Sequence, residues 1–156
     1  MEKKPISRAG FDMLLKELKD LKEVQRPEIL KTVQWARSLG DLSENADYSA
    51  AREKQRQIDN RIRFIEGVIE NAAVIDIDSL SGNRVVFGAR VVAEDEDGNK
   101  MQCRILSDIE SDGRTVISCT SPVGRAMIGR CVGDTCIVKL PSGEKEYEIL
   151  EVTFKE

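Results

Sequence analysis

Asp41 and Glu44, three residues apart in Gly40-Asp41-Leu42-Ser43-Glu44-Asn45, are the residues of this chain whose type and spacing best suit chemistry. With Asp47 they form an acidic cluster, and no Lys or Arg lies between Arg37 and Arg52. Two carboxylates on one turn can hold one side of a Mg²⁺ ion, which takes few protein ligands and fills its other positions with water or phosphate oxygens. They do not complete a site by themselves, so a partner must supply the remaining ligands, phosphate oxygens or another metal among them. The 156 residues include no histidine, which removes the commonest general base and the commonest metal ligand. The same acids also have a structural reading. Asp followed three residues later by Glu is a variant capping box, both charges favour the start of a helix, and Gly40 suits the end of the helix before it. Leu42, an apolar residue set between the two acids where it should be exposed, tilts the balance toward contact with a partner.

The elements that must position this turn are two helices. Tyr48, Ala51, Gln55, Ile58, Ile62, Ile65, Ile69 and Ala72 step alternately by three and four, a heptad seam. Before the turn, Phe11, Leu14, Leu18 and Leu21 recur at helical spacing, followed past Pro27 by a second set, Ile29, Val33 and Ala36. If the chain folds back at residues 40–43, antiparallel neighbours have position numbers with a constant total. Phe11 with Ala72, Leu14 with Ile69, Leu18 with Ile65, Leu21 with Ile62, Gln25 with Ile58, Glu28 with Gln55, Thr32 with Ala51 and Trp35 with Tyr48 all total 83. An antiparallel coiled coil with arms of roughly 40 Å follows, at ~1.5 Å per residue. In this register Gln25, Glu28, Thr32 and Gln55 interrupt the middle of the seam. Pro27 should kink the first helix or restart it near Arg26, and Trp35 and Tyr48 should close the seam below the turn.

After Ala73 the period changes to two. The runs 84–87, 89–93, 101–106, 116–119, 135–140 and 146–152 are separated by Asp97-Gly98-Asn99, Asp112-Gly113, Gly133-Asp134 and Pro141-Ser142-Gly143. They predict a small antiparallel β domain. Ser121-Pro122 followed by residues 123–128 predicts one short capped helix packed against it. The fold class is therefore α+β: an antiparallel coiled-coil hairpin over 1–75, a linker at 76–83 and a β domain over 84–156.

Composition supports this division. Aromatic residues make up only 4% and charged residues 33%, which suits a thin solvated helix pair better than one large core. Cys103, Cys119, Cys131 and Cys136 form no CxxC pair, so they are expected to be reduced thiols packing as small apolar residues. No apolar run is long enough for a membrane span, and no signal core follows the N-terminus, so a soluble, cytoplasmic protein with no membrane contact is expected. A net charge of −4 argues against binding nucleic acid through overall charge, leaving only local patches.

Arg26-Pro27-Glu28, Gly40 through Tyr48, Ala51-Arg52-Glu53, Phe87-Gly88-Ala89, Ser121-Pro122 and residues 126–129 resemble the Gre transcript-cleavage factors of bacterial RNA polymerase. The likeness spans essentially the whole chain. It leans toward the GreA type through Ala50-Ala51-Arg52-Glu53-Lys54 and the acidic total, while Trp35, Ser38-Leu39 and Asn45-Ala46-Asp47-Tyr48 are similar to the GreB type. The resemblance implies that the β half is an FKBP-like domain docking on the rim of the polymerase's secondary channel, and that the coiled coil enters the channel of a backtracked complex. Asp41 and Glu44 then match the family's two essential acids. They share a Mg²⁺ with the polymerase active site and orient the attacking water, so that the polymerase cuts its own RNA near the 3′ end. The resemblance further implies that the chain is not an enzyme by itself, binds no cofactor tightly when free and acts as a monomer. Arg37 and Arg52 are candidates to contact RNA phosphates, or are solvated helix charges. Ser121, Pro122, Ala126 and Ile128 are candidates for polymerase docking, or pack within the β domain. Two rival functions remain: a channel-binding inhibitor of the same fold, which should carry an altered tip, and an FKBP-like isomerase or chaperone. The latter is discouraged because the second half offers only Phe87, Tyr147 and Phe154 for an aromatic pocket.

Overall fold

In a computed structural model of the chain, residues 3–41 and 44–154 are described. Its contacts divide it into two compact units. One is Phe11–Ala72; the other joins Lys3–Gly10 to the chain from Ala73 onward.

The first unit is the helical hairpin. Helix α1 (Arg8–Asp20) continues through a π-helical turn (Leu21–Gln25) into α2 (Arg26–Ser38), and α3 (Ala46–Glu70) returns. The turn is marked by the Arg26 N–H donating to the Leu21 carbonyl, five residues back. Its cause lies in Pro27, which has no N–H and whose ring would strike a carbonyl of the preceding turn. One wide turn relieves the conflict without ending the helix, where a kink or restart is expected from sequence.

That turn adds one residue and so moves the seam. Leu21 is buried as expected, but beyond it the buried residues are Ile29, Val33 and Ala36, each one position later than Glu28, Thr32 and Trp35. Together with Ala51, Ile58, Ile62 and Ile65, and with half-buried Leu14, Leu18, Tyr48 and Ile69 alongside, Leu21, Ile29 and Val33 form one apolar cluster. The polar interruption anticipated at Glu28 and Thr32 is therefore absent from the seam, and both are exposed. Trp35 does not close the seam: it is 55% exposed, and Ala36 lies at 0% in its place. Interhelical ion pairs line the rims, Lys22 with Glu66 and Arg61 with Glu17 at 2.8 Å and Arg26 with Asp59 at 3.4 Å. All are solvated and add little stability beyond fixing register.

The second unit is a five-stranded sheet in the order β5-β4-β3-β7-β6, built from β3 (Arg90–Asp95), β4 (Lys100–Leu106), β5 (Val116–Ser118), β6 (Thr135–Leu140) and β7 (Gly143–Thr153). A small second sheet pairs β1 (Lys4–Ser7) with β2 (Ala72–Ile75). Three of the large sheet's pairings are antiparallel, but β4 and β5 run parallel, a departure from the all-antiparallel expectation. Residues 84–87 form no strand either: Arg84 makes a single bridge to Cys131, and Val85 enters the core. Alternation sets the buried face of β3, where Val91, Ala93 and Asp95 point inward. The core gathers Val85, Ala89, Val91, Ala93, Cys103, Ile105, Met127, Cys136, Ile149, Val152 and Phe154. Ile77 and Leu80 pack on it, so the segment read as a linker is part of this unit. All four cysteines are free, and burial pushes the Cys103 thiol up to about 11, which keeps it protonated.

Strand β1 lies far from this unit in sequence. Its hold is the Glu110 carboxylate, which accepts from Ser7 N–H and the Ser7 hydroxyl and from Ser107 N–H and the Ser107 hydroxyl. Gly10 leaves room for that side chain, since a Cβ there would overlap the Glu110 carboxylate.

Candidate functional site at the hairpin apex

Helix α2 ends in a tightened turn, with Leu39 N–H donating to the Ala36 carbonyl at 3.2 Å and Gly40 N–H to the Arg37 carbonyl at 3.3 Å. Gly40 adopts φ +105°, which a side chain would oppose, so the stop expected at this glycine is present. On the return, α3 is capped by Asn45 and not by the Asp41 and Glu44 pair. The Asn45 Oδ1 accepts from Tyr48 N–H at 2.9 Å, while its Nδ2 donates to the Ala36 carbonyl at 2.6 Å. One side chain thus closes the start of α3 and ties it to the last turn of α2. The capping-box reading of the acids is corrected accordingly: Asn at the N-cap, with Asp47 in the first turn, does that work. Asparagine's strong N-cap preference was the signal in the sequence that could have identified it.

Asp41 and Glu44 are both exposed at this apex. Leu42 and Ser43 between them lie outside the described residues, and with them the expectation that Leu42 is exposed. Among the described residues no three Asp, Glu or Cys side chains gather into a metal-holding group. The donor set the apex offers is two carboxylates, hard oxygen ligands of the kind Mg²⁺ takes, and too few to hold it without help.

The two candidate arginines meet α3. The Arg37 guanidinium stands 5.8 Å from the centroid of the Tyr48 ring, a cation–π contact that orients it beside the apex. Arg52, one turn past Tyr48, donates from Nη1 to the Gln55 side chain at 2.9 Å. Arg37, Tyr48 and Arg52 thereby lie along one flank of the hairpin, with both charges exposed.

In the other unit, the docking candidates separate by exposure. Helix α4 (Pro122–Met127) is capped by Ser121, whose hydroxyl accepts from Gly124 N–H at 3.1 Å and donates to the Ser118 carbonyl at 2.6 Å. Ala126 packs against the core. Pro122 and Ile128 are exposed. Of the residues considered for an isomerase pocket, Phe154 is buried in the core and Tyr147 packs beside it under Lys145.

A long helical hairpin with an acidic apex, joined in one chain to a five-stranded β unit, defines the class, and comparison with known proteins agrees. Residues 4–74 match the family model described as the N-terminal part of transcription elongation factors, and residues 80–154 match that of the GreA/GreB C-terminal part. The chain belongs to the GreA/GreB family of transcription elongation factors. Relatives named transcription elongation factor GreA include one from Anaeromyxobacter sp. (strain K), 49% identical over 100% of this chain and 95% of its own length. Another, from Methylobacterium nodulans, is 47% identical over 99% of both. Among solved structures, the GreA factor homolog 1 (Gfh1) protein of Thermus thermophilus is 25% identical, covering 98% of this chain and 99% of its own, with a TM-score of 0.46, too loose a superposition to argue from.

Proposed function

We propose that this elongation factor inserts its hairpin into the secondary channel of RNA polymerase and stimulates the polymerase's own cleavage of backtracked RNA near its 3′ end. The observation that carries the proposal is the division of labour at the apex. Asn45 caps α3 and clasps α2, and Asp41 and Glu44 both stand exposed beside that clasp. Carboxylates kept at the end of a narrow arm, with no basic residue between Arg37 and Arg52, suit delivery into a site that already contains cations and phosphates.

Asp41 and Glu44 would hold one side of a Mg²⁺ ion shared with the polymerase, and neither acid needs the ion when the factor is free. When bound, such an ion supplies charge stabilisation and a more acidic water for phosphodiester hydrolysis. The chain's own contribution is to orient that water and to hold the arm in place. Arg37, steadied by Tyr48, and Arg52 are suited to phosphates of the displaced RNA. Pro122 and Ile128 are the exposed candidates for docking on the channel rim, whereas Ser121 and Ala126 act through the shape of α4.

The test is a stalled, backtracked elongation complex carrying labelled RNA, followed with and without the protein across a Mg²⁺ titration. Shortened RNA and resumed synthesis are expected only with the protein. Loss of synthesis without shortening would instead identify an inhibitor of the same fold.

A further inference from the structure

The displaced seam leaves one large side chain without a packing role. Trp35 is the only tryptophan in the chain, lies outside the seam cluster, and is 55% exposed one turn below the apex. At this level the hairpin is closed by Ala36 and Tyr48. Helical rotation of about 100° per residue sets Trp35 and Arg37 on opposite flanks of Ala36. The flank of Arg37 is the basic one already described. That of Trp35 carries Lys31 one turn before it and Leu39 one turn after, Lys31 exposed and Leu39 54% exposed.

We infer that Trp35 is a stacking platform for one base of the single-stranded RNA displaced in the backtracked complex, with Lys31 meeting an adjacent phosphate; the inference rests on the function proposed above. An exposed aromatic ring with a cation one turn away is the composition of sequence-tolerant single-strand binding, because every base offers a π face and every linkage a negative charge. A protein wall is the weaker occupant. A stacked base needs one ring face, which Trp35 at 55% exposure offers. Lys31 adds charge complementarity to RNA that an apolar wall would not use. Trp35 is thus a positioning residue: it fixes where the RNA strand lies relative to the acids and takes no part in proton transfer.

The experiment measures cleavage in backtracked complexes against factor concentration, using RNA with natural bases and RNA made abasic at each displaced position in turn. Trp35→Ala raises the concentration for half-maximal cleavage roughly tenfold on natural RNA, as expected for one lost stack, and Trp35→Phe recovers most of it. On RNA abasic at the stacked position, the wild-type protein falls to the Trp35→Ala level and the variant loses nothing further. A Trp35→Ala penalty of the same size on every abasic RNA indicates contact with the polymerase itself and overturns the inference, as does no penalty at all. A second measurement is independent of cleavage. With 5-fluorotryptophan at this single position, the ¹⁹F resonance in the polymerase complex should differ between natural and abasic RNA. An unchanged resonance rejects the stack. Failure of the proposed function shows separately, as wild-type protein that shortens no RNA.

Discussion

The hairpin and the β unit bury apolar residues in opposite ways. In the β unit, Val91, Cys103, Ile105, Met127, Cys136 and Ile149 meet from several strands and a helix around one centre. In the hairpin a single file of Leu21, Ile29, Val33, Ala51, Ile58, Ile62 and Ile65 holds two helices together. A closed core couples every residue to many neighbours. A single seam leaves most of each helix facing solvent, and its apex holds both acids exposed. Chemistry placed at the end of a seam can therefore be changed without unfolding what carries it.

That contrast can be broken first at the apex. Asp41→Asn or Glu44→Gln should reduce stimulated RNA cleavage at least about a hundredfold, a loss typical of removing one group that stabilises transition-state charge. Thermal melting and polymerase binding should stay at wild-type values; cleavage at the wild-type rate by either variant would refute the role of the acids. The second test addresses the seam. Deleting Val24, an exposed residue of the π-helical turn, removes the residue that the wide turn absorbs, so a regular helix then keeps Ile29, Val33 and Ala36 in the seam and Trp35 outside it. Trp35 emission should therefore stay at its solvent-exposed wavelength; emission shifted to the blue would show that the turn does not set the register.

In the β unit the largest single effect is expected at Ile149, which is fully buried. Ile149→Ala should cost about 2–5 kcal/mol in urea unfolding, because the cavity adds to the lost transfer energy. A loss under about 1 kcal/mol would mean that this core is loosely packed. Asn45→Ala should be milder, about 1 kcal/mol, the usual cost of a lost N-cap. It should also lower cleavage more than it lowers stability, since the clasp to Ala36 fixes the apex; equal, small changes in both would reduce Asn45 to a simple cap.

The smallest effect is a pH dependence in the β unit. The Asp112 carboxylate accepts from the Thr115 hydroxyl and from the Val116, Arg114 and Thr115 N–H groups, which hold it well below its ordinary value of 3.8. A group whose folded pKa is depressed contributes stability fully above its unfolded pKa and loses it as pH falls through the folded value. Asp112→Asn should therefore destabilise the protein at pH 7 and flatten the acid limb of its stability profile below about pH 4. Parallel acid limbs in the two proteins would exclude the turn as a source of acid sensitivity.

Sequence made much of this molecule legible. The three-four spacing of α3 and the two-residue alternation after Ala73 report which face of each element is buried, and burial depends on period alone. Strand β6 coincides with the run 135–140, and α4 begins at Pro122 behind its Ser121 cap. Strands β1 and β2 were not legible, because four-residue segments at distant positions carry no period of their own and pair only once the fold brings them together.

At the apex the same boundary applies. The acids, their spacing and the absence of nearby basic residues were set by sequence. Which side chain caps α3 was decided in three dimensions, where Asn45 reaches both Tyr48 N–H and the Ala36 carbonyl. The register of the outer seam was decided there too. A strict heptad and a proline are both visible in the chain, but how a helix accommodates the proline is a matter of backbone geometry. A single wide turn turns Trp35 outward and Val33 inward, and local periodicity does not count the residue that turn absorbs.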